Sequence, residues 1–205
     1  MSNDDVISLI SDLWKLNNLK KRIGKFYKYL NKSTTYFEYG SGGSTNQAAI
    51  RKNITKIYSV ESDYEWHNKL KTILKDYNHI EFIYNEMDTK PNDWGHPGSN
   101  STPEQIINYS NHIKLIDEDI QKKIDIVMID GRFRVSCCLK CFDVISDDCV
   151  IIFDDFLNRP QYQVVLDYYE IIEKTQDNRM VILKKKNNIN CVPNELIKKY
   201  ELIKD

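Results

Sequence analysis

The chain has 205 residues, a net charge of -1 and 41% hydrophobic residues, which is an ordinary globular composition and excludes a largely disordered chain. The balanced charge offers no basic field, so we expect neither nucleic acid nor an anionic membrane surface as a partner. No apolar run approaches the roughly 20 residues that a membrane span needs.

Predicted helices and strands alternate along most of the chain. Apolar residues at helical spacing predict a helix over 4–19 and a second over 21–30. Short strand-type runs then predict strands at 35–39, 56–60, 80–84, 124–129, 150–153 and 180–184. The segments between them predict helices at 44–52, 64–77, 103–122, 136–145 and 161–175. The tail, 194–203, fits either a short helix or a strand.

This alternation predicts an α/β fold with a mostly parallel central sheet and helices on both faces. The nearly continuous apolar runs at 124–129 and 150–153 are typical of strands that are buried on both faces. Ligands of such sheets bind at the carboxyl ends of the strands. We assign 1–33 to an N-terminal helical cover and 34–205 to the ligand-binding domain, which together form one compact domain.

A glycine-rich turn follows the first predicted strand, with the sequence Glu38, Tyr39, Gly40, Ser41, Gly42, Gly43, Ser44, Thr45. The glycines permit a tight turn and a close backbone approach to a ligand. Ser44 or Thr45 can cap the next helix, whose free N–H groups favour an anion. A dinucleotide fingerprint requires a third glycine where Thr45 stands. Glu38 disfavours a pyrophosphate and suits a cationic ligand.

Carboxylates close the next two predicted strands. Glu61, followed by Ser62, can accept both hydroxyls of a ribose. Glu86 or Asp88, after the third strand, can accept from an adenine amino group. A single acid of this kind is more often a solvated or capping residue, but the ordered set of glycine turn, Glu61 and Asp88 indicates a nucleoside-containing ligand.

These motifs resemble the class I S-adenosylmethionine-dependent methyltransferases. Asp130-Gly131 after the fourth strand and Asp154-Asp155 after the fifth resemble the macrolide-sugar and catechol-type O-methyltransferases, over about residues 34–185. The resemblance implies a Rossmann-like fold and S-adenosylmethionine as the cofactor. Its implied cofactor-binding residues are Glu38, Gly40, Ser41, Gly42, Ser44, Thr45, Glu61, Ser62, Asp88 and Asp130.

The resemblance also implies that Asp130, Asp154 and Asp155 bind a divalent metal such as Mg²⁺. Three carboxylates at adjacent strand ends repel one another unless a cation or protons separate them. Mg²⁺ prefers oxygen ligands and orients an acceptor hydroxyl. The sequence departs from the sugar-enzyme pattern where Arg132 and Arg134 follow Gly131. Arg132 can pair with Asp154 or Asp155 and neutralise the site without metal, so both readings stay open.

Asp130 or Asp154 is the candidate general base for the acceptor hydroxyl, and Arg132 is also a candidate catalytic residue. The segment 88–103 is long and rich in Pro, Gly, Asn and Ser, which predicts a binding loop at the ligand edge. In it, Trp94 either stacks on the adenine or a sugar face or packs the loop down. His96 is a second candidate base, because imidazole titrates near neutral pH. The five cysteines are expected to be free thiols rather than zinc ligands.

We therefore expect an S-adenosylmethionine-dependent O-methyltransferase acting on a hydroxyl of a sugar, glycan or other small molecule, with or without metal assistance. One alternative is an NAD(P)-binding oxidoreductase on a Rossmann-like fold, which Thr45 and the strand-end acids disfavour. Another is a non-catalytic partner module with the same fold. The amino-methylation motif Asn/Asp-Pro-Pro-Tyr/Phe is absent, which favours oxygen as the acceptor atom.

Two further expectations concern setting and assembly. The acidic start of the chain lacks a signal-peptide pattern, so we expect a cytoplasmic protein. Lys outnumbers Arg 23 to 6, which suggests an AT-rich microbial or viral genome and, if viral, the host cytoplasm. The N-terminal helices are expected to cover the acceptor pocket or to form a homodimer contact.

Overall fold

The structure is a computed structural model that describes residues 19–90 and 93–204. A seven-stranded sheet with the order β3-β2-β1-β4-β5-β7-β6 forms its centre. The strands are β1 Thr35–Tyr39, β2 Lys56–Glu61, β3 Ile80–Tyr84, β4 Ile126–Ile129, β5 Val150–Phe153, β6 Tyr169–Lys174 and β7 Val181–Lys185. The first five strands are parallel, and β7 is antiparallel to both β5 and β6. The predicted mostly parallel sheet is confirmed.

Helices follow most strands. They are α1 Leu19–Leu30, α2 Gly43–Ala49, α3 Tyr64–Ile73, α4 Pro103–Asn111, α5 Glu118–Gln121, α6 Arg134–Cys141 and α7 Asn194–Glu201, with 3-10 helices at His112–Leu115 and Pro160–Asp167. Local capping sets where two of them begin. Asp63 accepts the Trp66 N–H at 3.0 Å before α3, and Thr102 forms a capping box with Gln105 before α4.

Each face of the sheet has its own core, because successive strand residues point to opposite sides. The first core joins the strands to α4, α6 and α7 through Phe37, Val127, Tyr109, Leu139 and Ile197. The second joins them to α1 and α2 through Tyr36, Met128, Phe26 and Ala48. The prediction of helices on both faces is therefore confirmed, and the strand ends remain available for a site.

The N-terminal helix α1 lies on the second face. Phe26 and Leu30 are buried there, and Lys25 Nζ lies 2.9 Å from a carboxylate oxygen of Glu173 on β6. The helix predicted over 4–19 lies outside the described residues except for Leu19. The assignment of 1–33 as a cover over the pocket stays a prediction.

The helix predicted over 161–175 is wrong. Pro160–Asp167 is a 3-10 helix, and Tyr169–Lys174 is β6, which pairs with β7 across a turn where Asn178 has a φ of 56°. The apolar spacing of this segment suits either element, so pairing with a neighbouring strand decides between them. The predicted helix over 103–122 is likewise divided into α4, a 3-10 turn and α5.

Among residues 19–90 and 93–204, no helix has the length and apolar character needed to cross a membrane.

A buried polar cluster fastens α7 to the first face of the sheet. Lys140 on α6 is 1% exposed, and its Nζ lies 2.7 Å from Glu201 Oε1 on α7. The same Nζ donates to Ser110 Oγ at 2.9 Å and to Asn111 Oδ1 at 2.7 Å. Burial lowers the pKa of Lys140, and Glu201 opposes that shift. The charge of Lys140 therefore depends on α7 being in place.

We predict that Glu201→Gln lowers the free energy of unfolding by about 1–3 kcal/mol, because Lys140 then keeps a buried charge without an anionic partner. Glu195→Gln, at an exposed position of the same helix, is the control and should change it by less than about 0.5 kcal/mol. Urea denaturation measures both values. Equal stability of the two variants would contradict the role given to Glu201.

Candidate active site

The turn after β1 meets the turn after β4 at two glycines. Gly40 has a φ of +92°, and a Cβ on it would lie 2.6 Å from the backbone nitrogen of Gly131. Only glycine fits this position, because the backbone is left-handed and the neighbouring chain is in contact. A Cβ on Gly42 would meet nothing within 4 Å. The turn thus has one side packed against β4 and one side open.

Glu38 on β1 is fully buried, and its carboxylate is bound entirely by hydroxyl groups. The donors are Tyr36 Oη at 2.9 Å, Ser44 Oγ at 2.6 Å, Ser59 Oγ at 2.6 Å and Thr45 Oγ1. Burial raises the pKa of Glu38, and the hydroxyl bonds oppose that rise. Glu38, Ser44 and Thr45 therefore hold the glycine turn to β1 and β2, and their direct contact with a cofactor stays a prediction.

Glu61 at the end of β2 accepts hydrogen bonds from three backbone N–H groups. They belong to Ser41 at 3.2 Å, Ser62 at 2.7 Å and Asp63 at 2.9 Å. Burial raises the pKa of Glu61 to about 7, although these N–H groups favour the charged form. Trp66 Nε1 also donates to the Ser41 carbonyl at 2.8 Å. The acid predicted to bind a ribose is thus held directly beside the glycine turn.

The loop after β3 lies over Glu61 and Ser62. Ser62 Oγ donates to the Gly95 carbonyl at 3.3 Å, and a Cβ on Gly95 would lie 3.4 Å from Glu61 Oε1. Asp88 shapes this loop, because its Oδ2 accepts the Asn100 N–H at 3.0 Å. The proposed contact between Asp88 and an adenine amino group stays a prediction.

Trp94 on this loop is 77% exposed and has a φ of 54°. A bulky residue rarely adopts this left-handed conformation. The exposure rules out the interpretation that Trp94 packs the loop down against the domain. Its stacking on an adenine or sugar face stays a prediction.

The same loop reaches the end of β4 through His96. Arg132 Nη1 lies 2.9 Å from His96 Nε2, and the Arg132 guanidinium is buried. A guanidinium only donates, so this ring nitrogen of His96 is the acceptor. The Arg132 N–H lies 3.4 Å from the hydroxyl oxygen of Tyr109. Two of the predicted catalytic residues therefore contact each other at the carboxyl end of the sheet.

Arg134 joins the ends of β4 and β5, a role that sequence reasoning missed. Its guanidinium lies 3.1 Å from Asp130 Oδ1, and it donates to the carbonyls of Gly131 at 2.9 Å and Asp154 at 2.8 Å. The only sequence signal is its position four residues after Asp130, and Asp130 itself lies before α6, which begins at Arg134. Arg134 thereby places Asp130 and Asp154 at one corner of the site.

The Asp130 carboxyl has an environment suited to holding a proton. Desolvation and the nearby Asp154 raise its pKa, whereas Arg134 opposes the rise. The side chain is 40% exposed, so water also reaches it and limits the effect of burial. A carboxyl with a raised pKa at a strand end is a candidate for proton transfer.

The predicted metal site is not formed. Asp155 has a φ of 55°, and its carboxylate is bound by Arg179, with Nε 2.5 Å from Oδ1, and faces Arg159 Nη2 at 3.7 Å. Within the described part of the chain, no three His, Cys, Asp or Glu side chains are grouped so that they could hold a metal ion. Asp130, Asp154 and Asp155 do not fit a divalent cation as placed here, because arginine already binds the carboxylates of Asp130 and Asp155.

An apolar cavity of about 50 Å³ borders the same end of the sheet. It is lined by Phe133, Val135, Gln161, Tyr162, Tyr200 and Ile203. Four of the lining residues come after the strands that carry the acids. Phe133 and Val135 follow β4, as Asp130 does. Gln161 and Tyr162 follow β5, as Asp154 does. The last turn of the C-terminal region closes the cavity from the other side.

Comparison with known proteins shows the fold family. No protein-family model and no curated protein matches the chain. Among solved structures, a methyltransferase-like protein from Silicibacter pomeroyi is 25% identical, with 91% of this chain and 94% of that chain covered and a TM-score of 0.74. The chain has the Rossmann-like fold of class I methyltransferases.

Two more distant structures show the fold alone. An O-methyltransferase from Bacillus cereus in complex with SAH is 9% identical, covering 90% of both chains with a TM-score of 0.56. The Bacillus subtilis tRNA methyltransferase TrmK is 12% identical, covering 84% of this chain and 68% of that one with a TM-score of 0.51. At this identity the likeness says nothing about the partners of this chain, and the expectation that nucleic acid is excluded stays untested.

We predict that the free energy of unfolding of the ligand-free protein falls between about pH 4.5 and about pH 7. Folded protein keeps a proton on Glu61 up to about pH 7, whereas the unfolded chain releases it near 4.5. The part of this loss that Glu61 contributes is about 3 kcal/mol. Denaturation across this pH range should show that the free energy of unfolding depends less on pH in Glu61→Gln than in the wild type. Glu65→Gln, at an exposed neighbouring position on α3, should show the wild-type pH dependence. Identical pH dependence in all three proteins would show that Glu61 is not the titrating group.

Proposed function

We propose that this chain is an S-adenosylmethionine-dependent O-methyltransferase that methylates a hydroxyl of a sugar, a glycan or another small molecule. One observation carries the proposal. The glycine turn, Glu61, Asp130 and Asp154 meet at one edge of a sheet whose fold is shared with an O-methyltransferase in complex with SAH. No observation favours the oxidoreductase or the non-catalytic module. The cytoplasm is the proposed compartment.

S-Adenosylmethionine supplies a methyl group on a positively charged sulfur. The open side of Gly42 offers room beside the backbone of the turn. Three backbone N–H groups orient the Glu61 carboxylate and take three of its four acceptor positions, which leaves one for a ribose hydroxyl. Ser62 and Asp88 are the proposed neighbours of the nucleoside, with Trp94 stacked on the adenine. The carboxyl of Asp130 is proposed to lie beside the sulfonium.

The chain's own residues orient the acceptor and remove its proton. The acceptor oxygen forms a bond to the methyl carbon as the carbon–sulfur bond breaks, and that electron pair stays on sulfur. The hydroxyl proton passes to the carboxylate of Asp154 or Asp130. His96, the second candidate base, has its one acceptor nitrogen bound by Arg132, so it does not take the proton in this arrangement. Since the displacement is in line, holding oxygen and methyl at the correct angle contributes most of the rate.

The acceptor is proposed to lie in the open region near Trp94, which is 77% exposed. The apolar cavity near the strand ends has a volume of only about 50 Å³. Two of the rings that line it, those of Phe133 and Tyr162, are 1% and 0% exposed, so they have no free face for an acceptor to pack against.

We predict that Glu61→Ala weakens binding of S-adenosylhomocysteine at least about tenfold, because the hydrogen bond from a ribose hydroxyl to a charged acceptor is lost. The control Glu65→Ala removes an exposed glutamate from α3 and should leave the affinity unchanged. Isothermal titration calorimetry measures both. Absence of binding to the wild-type chain would remove the methyltransferase proposal itself.

We predict that Asp154→Asn keeps the affinity for S-adenosylhomocysteine within about twofold and lowers kcat by about 100-fold or more, since the amide cannot accept the proton. Transfer of a labelled methyl group to a panel of monosaccharides, nucleotide sugars and phenols measures turnover. Asp148→Asn, at a fully exposed position before β5, is the matched control. Wild-type turnover by Asp154→Asn would place the reaction elsewhere.

A further inference from the structure

We infer that arginine side chains take the place of a divalent cation at this reaction centre. Arg134 is the fixed positive charge beside Asp130, while Arg179 and Arg159 hold Asp155. That a reaction takes place here rests on the proposed function. The pairing of arginines with acids follows from the contacts of these residues alone.

Arginine is concentrated at this edge of the sheet, which supports the inference. The chain has only six arginines against 23 lysines, yet four of the six lie at this edge of the sheet: Arg132, Arg134, Arg159 and Arg179. Arginine differs from lysine in presenting five donors in a rigid planar fork. A site that binds carboxylates and carbonyls at fixed angles requires that fork.

Arg134 already occupies the junction that a shared cation would need. Its side chain is 4% exposed, and one guanidinium contacts both the Asp130 carboxylate and the Asp154 carbonyl. It also donates to the Gly131 carbonyl at 2.9 Å and to the Asp130 carbonyl at 3.1 Å, so four atoms near the strand ends are directed to it. A divalent cation bound here would face a buried guanidinium at close range, and like charges repel strongly in such surroundings.

Asp155 is engaged separately. Its left-handed backbone conformation and its contacts direct the carboxylate to Arg179, which lies on the turn between β6 and β7. Arg159 approaches the second oxygen at 3.7 Å and also donates to Tyr162 Oη at 3.2 Å. Both oxygens of Asp155 thus have cationic neighbours, which leaves this residue poorly placed to act as the third metal ligand.

Titration of the ligand-free 205-residue chain with Mn²⁺, followed by electron paramagnetic resonance, tests the inference. We expect no saturable site below about 1 mM in the wild-type protein. The double variant Arg134→Ala/Arg179→Ala removes the guanidinium groups that bind Asp130 and Asp155, and it should bind one Mn²⁺ at least about tenfold more tightly than the wild type. Adding Asp155→Asn to it should remove that site. Arg51→Ala, on the helical layer over the opposite face, is the matched control and should behave as the wild type.

Two results would overturn the inference. One is a saturable wild-type site for Mn²⁺ that Asp155→Asn abolishes. The other is a folded double variant, with unchanged melting temperature, that gains no affinity for Mn²⁺.

If the double variant does not fold, a second measurement on the wild-type protein tests the inference instead. Wild-type methyl transfer should be unchanged in EDTA, and a loss of about tenfold or more that Mg²⁺ restores would also overturn the inference. Binding of S-adenosylhomocysteine is measured in parallel. Its absence would refute the proposed function while leaving the Mn²⁺ result interpretable.

Discussion

The backbone contact between Gly40 and Gly131 positions the rest of the site. A Cβ on Gly131 would lie 2.0 Å from the hydroxyl oxygen of Tyr109 and 2.8 Å from the Gly40 nitrogen, so neither glycine can carry a side chain without displacing its neighbours. The Gly40 N–H donates to the Val60 carbonyl at 2.9 Å, which ties the same turn to β2. These contacts bring the carboxyl ends of β1, β2 and β4 together. They thereby also bring together the acids Glu38, Glu61 and Asp130.

Those acids are stabilised in three different ways. Glu38 is buried and bound by hydroxyls, Glu61 by backbone N–H groups, and Asp130 by the guanidinium of Arg134. Hydroxyls and amides carry no net charge, so the first two acids keep a raised pKa despite their hydrogen bonds. Asp130 combines a cationic partner with an acidic neighbour, Asp154. The pKa of Asp130 is raised as well, because desolvation and Asp154 outweigh Arg134.

The sequence predicts that the acids at the strand ends repel one another, but it does not predict which arginines bind them. The clustered acids imply a compensating cation, and the sequence points to Arg132 for that role. In the structure, Arg134 binds Asp130, and Asp155 is bound by Arg179. Arg179 lies 24 residues from Asp155, beyond a segment whose apolar spacing predicted a helix. Because β6 was not recognised, the hairpin that returns Arg179 to the site could not be predicted.

The sequence by itself determined the α/β class, the positions of β1 to β5, the glycine turn and the acids that follow the strands. These features have local causes: uninterrupted apolar runs, glycine's conformational freedom and the alternation of periodicities. Tertiary structure alone decided that 169–174 pairs as a strand, that Trp94 stays exposed, and that arginine rather than a third carboxylate defines the corner between β4 and β5. Each of these depends on contacts between residues far apart in the chain, and the spacing of residues along the sequence carries no information about such contacts.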